Sequence, residues 1–195
     1  SAPRAVCWPP VHTAAPSAEL AAAAEVGETL LAARQQAPRH RGLRGFAESS
    51  YCGDSRAMVD SSPLTGLGNP VAPPLRLTTV DDHVEGTAVF GTAYEGPPGH
   101  VHGGFVAAAF DELLGMAQSL TGNPGMTGSL TVRYRRPTPL HREVRFVGRA
   151  DRSEGRKIFT SGELFDGETL CAEAQGLFIS VDFERMRQLA NSRPG

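Results

Sequence analysis

The feature that most constrains the fold is one long apolar segment that begins near Gly103 and lies between stretches with the period of β-strands. Its large apolar side chains recur at helical spacing, and Gly122 followed by Pro124 ends the run. Because the segment is apolar on nearly every side, the sequence predicts a helix buried at the centre of a domain. The recurring side chains are Val106, Phe110, Leu113, Leu114, Ala117 and Leu120.

Strand patterns precede and follow this helix. Alternation of apolar and polar residues is clearest at Leu130, Val132 and Tyr134, as in a half-buried strand. Two strands before the helix and four after it predict an α+β fold, in which an antiparallel sheet wraps one central helix. The predicted strands cover 75–80, 84–91, 130–134, 143–151, 156–166 and 169–181, with turn signals at 81–82, 153–155 and 166–167.

The first 74 residues differ in composition from the rest. Residues 1–16 hold four prolines and predict an arm, whereas 17–36 are rich in Ala, Leu and Glu and predict a helix. Residues 37–74 form a long loop rich in Pro and Gly, which is unusual in a compact domain unless it covers a site or an interface. The sequence therefore predicts an N-terminal extension over 1–74 and one folded domain over 75–195.

Composition excludes several classes of protein. The 195 residues carry a net charge of -2, which gives no general field for nucleic acid, and no apolar run reaches the roughly 20 residues that a membrane span needs. Cys7, Cys52 and Cys171 are an odd, widely spaced trio without a C-x-x-C pattern. This number and spacing of cysteines argue against a disulfide framework or a thiolate zinc site, and they predict that the protein occurs in the reducing cytoplasm.

The start of the central helix carries His102, Gly103 and Gly104. Two glycines there allow close approach to free backbone N–H donors, where the helix dipole favours developing negative charge. The sequence thus predicts an oxyanion-binding site. His100 and His102 also have the spacing of two zinc ligands, but no third ligand is indicated. A hydrogen-bonding role for His102 beside the helix terminus is the favoured reading.

Asp111 lies within the same apolar helix, where a carboxylate is costly unless it is partnered or used. On a helical projection its neighbours are small and leave room for a ligand or another chain. The alternative is that Asp111 and Glu112 form a solvated edge of the helix. The small neighbours are Gly104, Ala107, Ala108 and Gly115.

Basic residues occur in two clusters that could meet in space. Arg133, Arg135 and Arg136 form the first, and Arg156 with Lys157, the only lysine, forms the second. They suit phosphate groups on a small ligand better than a nucleic-acid track, because no aromatic stacking platform accompanies them. The alternative is ordinary solvated surface.

About residues 75–182 resemble hotdog-fold acyl-CoA thioesterases of the PaaI and THEM type. The resemblance is carried by His-Gly-Gly at 102–104 with a carboxylate nine positions after the His, by the central helix, and by the run Thr127-Gly-Ser-Leu-Thr-Val-Arg-Tyr-Arg-Arg-Pro-Thr-Pro139. It implies a hotdog fold and hydrolysis of an acyl-CoA to a free acid and coenzyme A, with no metal or redox cofactor.

The resemblance also implies roles for individual residues. Asp111 would be the general base or the nucleophile, and Thr127 would position the attacking water. His102 and the Gly103 N–H would hold the thioester oxygen, with Gly104 next to the substrate. Many PaaI-like enzymes carry an Asn before His-Gly-Gly that is missing from this loop, which increases the importance of His102. Lys157 matches a lysine that the THEM-like branch has near the coenzyme A nucleotide. The basic clusters separately predict that Arg136, Arg156 and Lys157 contact the coenzyme A phosphates.

The same resemblance implies a homodimer or a dimer of dimers. Each site would combine Asp111 and Thr127 of one subunit with His102 and Gly103 of the other. Two alternatives stay open: a hotdog module that binds acyl-CoA without turnover, and a hydratase on the same fold. The hydratase reading is weakened because the His-Phe-Pro-Gly type of sequence is absent.

Overall fold

The computed structural model describes residues 72–123 and 125–182, together with positions 18, 22, 25, 26, 28, 29, 64 and 65. The chain divides into two compact units, 1–39 and 40–195. In the first unit, the six described positions are all helical and lie within the predicted helix over 17–36. The predicted arm and most of the predicted loop lie outside the described residues. A division of the chain at residue 74 stays a prediction.

The described part of the second unit is a six-stranded antiparallel sheet with one long helix, which confirms the predicted fold class. The strand order is β1-β2-β4-β5-β6-β3, so that β1 and β3 form the two edges. No helix in the described residues is long and apolar enough to cross a bilayer. The elements are β1 (Arg76–Val80), β2 (His83–Val89), α1 (Gly103–Ser119), β3 (Gly125–Tyr134), β4 (Glu143–Glu154), β5 (Lys157–Asp166) and β6 (Thr169–Ser180).

The sheet curves around α1, which packs against every strand from β2 to β6. One face of the helix is fully buried and forms the core with the inward side chains of the sheet. That burial is the main stabilising term of the domain, since apolar area removed from water contributes about 25 cal/mol per Å². The buried positions of α1 are Val106, Ala109, Phe110, Leu113, Leu114, Ala117 and Gln118.

The opposite face of α1 is open in the single chain, in agreement with the small neighbours of Asp111 that leave room for a ligand or another chain. Ala107, Ala108, Asp111 and Gly115 are only half-buried in the single chain, and Leu120, just past the helix, is 40% exposed. The sheet covers one side of a helix, so the small residues on the other side keep contact with solvent. This open face is the one that carries Asp111.

Two glycines let α1 lie close to the middle of the sheet. Gly148 on β4 and Gly162 on β5 are paired across the ladder and both face the helix. A Cβ at Gly148 would lie 2.7 Å from Leu113 Cγ, and one at Gly162 would lie 3.1 Å from a methyl of Leu114. The helix therefore occupies space that any larger residue would take at these positions.

Strand β3 begins five residues earlier than its alternation predicted, at Gly125 rather than near Leu130. Its first half has no buried face, since 126–129 are all exposed, and a strand without a buried face shows no apolar alternation in sequence. The pairing with β6 shifts between Thr127 and Ser129, so Gly128 is the extra residue of a β-bulge.

Candidate active site

Asp111, in the middle of α1, is the centre of the first group of predicted site residues. Thr127 on β3 donates a hydrogen bond from Oγ1 to Asp111 Oδ1 at 2.9 Å. Among the described residues, Oδ2 has no hydrogen-bond partner and no basic side chain pairs with the carboxylate. One carboxylate oxygen is thus fixed, and the other is available to a ligand or a water molecule on the open face of the helix.

The bulge in β3 explains how Thr127 reaches the helix. Thr127 pairs with Phe178, whose ring is buried in the core, so Thr127 lies on the side of the sheet that faces α1. The extra residue Gly128 then ends that alternation and returns Ser129 to the ladder opposite Leu177. Bulges commonly re-aim a side chain next to a functional site.

His102 caps the N-terminus of α1. Its Nδ1 accepts the Gly104 N–H at 3.0 Å, and its backbone carbonyl accepts the Phe105 N–H at 3.0 Å. Because Nδ1 is an acceptor, the neutral ring carries its hydrogen on Nε2 and presents a donor to solvent. The Gly104 N–H is therefore occupied, unlike the free donor that the sequence predicted. No group of three His, Cys, Asp or Glu side chains suited to a metal occurs within the described residues.

Gly103 supplies the remaining donor at this terminus. Its N–H has no hydrogen-bond partner among residues 72–123 and 125–182, whereas its carbonyl oxygen accepts the Tyr134 hydroxyl at 2.8 Å. A free N–H at the first position of a long helix favours a developing negative charge. The predicted oxyanion donor is thus free of a partner within these residues.

A cavity of about 350 Å³ opens beside this terminus. Partial burial raises the pKa of the Tyr134 phenol at its wall, so this hydroxyl stays protonated at neutral pH. Arg136 lines the same cavity. Apolar side chains, hydrogen-bond donors and cations line the same space, which suits a ligand with an apolar and an anionic part. Its lining is Pro97, His100, Val101, Gly103, Val106, Tyr134, Arg135, Arg136, Pro137 and Thr138.

Comparison with known proteins places this geometry in a family. The model of the thioesterase superfamily matches residues 98–173, which include α1 and strands β3 to β5. A crystal structure of a thioesterase superfamily protein superposes with a TM-score of 0.69 and 33% sequence identity, covering 86% of this chain and 82% of the other. The chain belongs to the thioesterase superfamily. Its sheet and single central helix are the hotdog architecture of that superfamily.

Curated relatives point the same way. Acyl-coenzyme A thioesterase THEM4 of Bos taurus is 41% identical to this chain over 97 residues. The aligned region covers 49% of this chain and 40% of the relative. The match therefore spans less than half of the relative's length. A Streptococcus mutans protein whose crystal structure contains acetyl-CoA shares the fold, with a TM-score of 0.52 and 16% identity over 55% of this chain and 88% of that one.

The predicted site residues of this thioesterase superfamily chain fall into two groups. Asp111 and Thr127 meet, and so do His102, Gly103 and Gly104. Eight residues of helix separate Asp111 from Gly103, or about 12 Å along the axis. The single chain therefore does not bring the carboxylate and the oxyanion donor to one reacting atom.

The basic residues divide in the same way. The Arg136 N–H donates to the Cys171 carbonyl at one end of β6, whereas Lys157 pairs with Ile179 at the other. Eight residues of strand separate these two ends, or about 26 Å. Within one chain the two clusters therefore lie apart, because β3 and the β4–β5 turn lead to opposite ends of the sheet.

Arg156 lies beside Lys157, with its Nε donating to the Ser180 carbonyl at 3.1 Å. Lys157 lies at the Thr127 end of the sheet, since Ile179 also pairs with Met126. The side chain of its neighbour Ile158 points into the core. Because successive side chains of a strand point to opposite faces, the Lys157 side chain leaves the sheet on the face away from α1. Its flexible side chain is exposed at the end of the hairpin.

Two site residues were missed by sequence reasoning. Tyr134 reads as one more apolar position of an alternating strand, yet it is 54% exposed and hydrogen-bonded to Gly103. Gly128 precedes the alternation at 130–134, so its place in a β-bulge left no signal in the sequence. The Tyr134 contact depends on how α1 lies across β3, which no local pattern records.

Proposed function

We propose that this chain is an acyl-CoA thioesterase. The observation that carries the proposal is the hydrogen bond from Thr127 Oγ1 to Asp111 Oδ1 on an open helix face lined by small residues. A carboxylate at the middle of an apolar helix is costly, and one held by a hydroxyl with its second oxygen free is arranged for proton transfer or attack.

The chemistry requires one water molecule and no redox partner. With Asp111 as general base, Oδ2 takes a proton from water while the water oxygen attacks the thioester carbonyl carbon. The carbonyl oxygen gains negative charge, which the Gly103 N–H and His102 Nε2–H stabilise. The C–S bond then breaks, the coenzyme A sulfur receives the proton from Asp111, and the carboxylic acid leaves.

A covalent variant uses the same groups. Asp111 Oδ2 attacks the thioester carbon, the coenzyme A thiolate leaves, and water hydrolyses the mixed anhydride. In ¹⁸O-water under single turnover, label in Asp111 identifies the covalent route with water attack on the aspartyl carbon of the anhydride. The general-base route labels only the released acid.

Two copies of the chain complete the site in this proposal. A centre assembled from Asp111 and Thr127 of one copy and His102 and Gly103 of another removes the separation of about 12 Å within one chain. The exposed edge strand β3, with Met126 52% exposed, supplies an unpaired ladder through which two sheets join. Sedimentation tests whether two such dimers associate into a tetramer.

The phosphates of coenzyme A are assigned to Arg136, Arg156 and Lys157. Arg136 lines the cavity at Gly103, and the other two lie at the end of the sheet nearest Thr127. Asp111 with Thr127 and Gly103 with His102 are separated in the same way within one chain. A dimer that brings these two groups together therefore also brings the three cations towards one ligand. Arg136 would then come from the copy that provides Gly103.

The proposed compartment is the cytoplasm. Cys171 is buried and free, and burial raises the pKa of its thiol. A buried thiol of this kind needs no oxidising environment for stability.

The test is hydrolysis of acyl-CoAs with short, medium, long and aromatic acyl groups, followed with a thiol-detecting reagent and an enzyme-only blank. Release of coenzyme A with at least one of them is the expected result. Tight binding of acyl-CoA by calorimetry without turnover of any of them would instead identify a binding module. Sedimentation on the same sample gives the oligomeric state.

A further inference from the structure

The peptide group between Gly103 and Gly104 is held from both sides. Its carbonyl oxygen accepts the Tyr134 hydroxyl at 2.8 Å, and its N–H donates to His102 Nδ1 at 3.0 Å. In a trans peptide the carbonyl and the N–H point in opposite directions. The two bonds therefore form one continuous chain from the phenol, through the peptide, to the imidazole.

Such a chain acts on the far side of the imidazole ring. A carbonyl that accepts a hydrogen bond withdraws electron density from its own N–H, which strengthens the next bond in the series. A stronger hydrogen bond from the Gly104 N–H to Nδ1 keeps the hydrogen of the neutral ring on Nε2. Nε2–H is the group that faces an incoming oxygen in the proposed function.

A side chain at 103 would crowd Tyr134. A Cβ there would lie 3.3 Å from Cζ of the Tyr134 ring and 3.4 Å from its hydroxyl oxygen. The glycine thus serves two purposes, close approach of a ligand and room for this ring. Tyr134 also ends β3, the strand that supplies Thr127, so one strand supports both groups of site residues.

We propose that Tyr134 is a positioning residue of the oxyanion site, which acts through the 103–104 peptide to hold His102 as an Nε2–H donor. The proposal rests on the proposed function for its effect on turnover. It does not rest on that function for the hydrogen-bond chain itself, which a measurement without substrate detects.

The variant is Tyr134→Phe, which removes the hydroxyl and keeps the ring against Gly103. Its matched control is Tyr94→Phe, because the Tyr94 hydroxyl also donates to a backbone carbonyl, that of Ala72, at 2.7 Å. We expect Tyr134→Phe to lower kcat about tenfold with KM changed less than about twofold. Tyr94→Phe should keep kcat within about twofold of the parent.

A second readout uses the full chain labelled with ¹⁵N in its histidine rings, without substrate. In the parent, His102 Nδ1 should give the signal of an unprotonated, hydrogen-bonded nitrogen. In Tyr134→Phe this signal should move towards that of a free imidazole nitrogen, whereas in Tyr94→Phe it should not move.

Each outcome decides the proposal. A lower kcat together with a moved His102 signal supports it, and a change in only one of the two, or in neither, overturns it. Equal losses of kcat in both variants overturn it as well, since they indicate a structural effect. If the parent hydrolyses no acyl-CoA, the proposed function fails, and the nitrogen signal alone then decides whether Tyr134 acts on His102.

Discussion

Thr127 and Asp111, sixteen positions apart in sequence, are joined by a hydrogen bond of 2.9 Å between the bulged edge strand and the open face of the central helix. The bond restricts one oxygen of the carboxylate and orients the other. Because both partners are fixed by regular elements, a small change in either one is expected to affect turnover more than folding.

Asp111→Asn should lower kcat by about a hundredfold or more, because the amide neither accepts the proton of water nor attacks a thioester. Acyl-CoA affinity by calorimetry and the unfolding midpoint should change little. The matched control is Asp151→Asn, whose carboxylate accepts the Ser161 hydroxyl at 2.7 Å on the other face of the sheet. Parent-like turnover in Asp111→Asn would remove the proposed mechanism.

Thr127→Ala should lower kcat by less than the Asp111 substitution, about tenfold, since water still finds the carboxylate without the hydroxyl. Thr127→Ser retains the donor and should recover most of the activity. Ser161→Ala removes a similar hydroxyl–carboxylate bond elsewhere and serves as the control. Full activity of Thr127→Ala in steady-state assays would make the residue structural.

Lys157→Ala should raise KM for acyl-CoA several-fold while kcat changes little, because a phosphate contact adds uniform binding. The same variant should behave as the parent with an acyl-pantetheine, which has no nucleotide phosphates. Arg145→Ala is the control, since its guanidinium lies over Phe165 at the other end of β5. An equal rise in KM for both substrates would show that Lys157 does not bind the phosphates.

Ala108→Leu should block turnover of long-chain acyl-CoAs and leave the unfolding midpoint nearly unchanged. Ala108 is half-buried on the open face of α1, where the added carbons would occupy the expected path of the acyl chain. Ala93→Leu adds the same atoms at an exposed turn. Normal long-chain turnover by Ala108→Leu excludes this path, and a fully active monomer in sedimentation excludes a shared site.

Gly148→Ala should lower the free energy of unfolding by about 1–3 kcal/mol, because the new methyl would lie 2.7 Å from Leu113 Cγ. Gly91→Ala is the control: its Cβ has no neighbour within 4 Å and its φ of -86° suits alanine. Urea unfolding of both variants measures the difference. Equal free energies of unfolding of the two variants would mean that α1 shifts away from β4 at little cost in free energy.

Most of the helix and strand positions could be predicted from the sequence because the burial of their side chains repeats with a fixed period. The helix begins at Gly103 as predicted, and the turns at Gly155 and Gly167 have the positive φ that glycine favours. The start of β3 was not readable, since an exposed edge strand carries no apolar alternation. The open face of α1 was predicted from the small residues around Asp111, which leave the helix uncovered on that side in the single chain.

The sequence by itself determined the order of strands and helix, the carboxylate at 111 and the two glycines after His102. These are local properties, set by side-chain period, by the cost of a charge among apolar residues and by the backbone freedom of glycine. Only the tertiary structure decided that Thr127 donates a hydrogen bond to Asp111, that Tyr134 meets Gly103, and that Arg136 and Lys157 lie at opposite ends of the sheet. Those relations depend on strand register and on the line along which the helix crosses the sheet, and both are set by packing between residues distant in sequence.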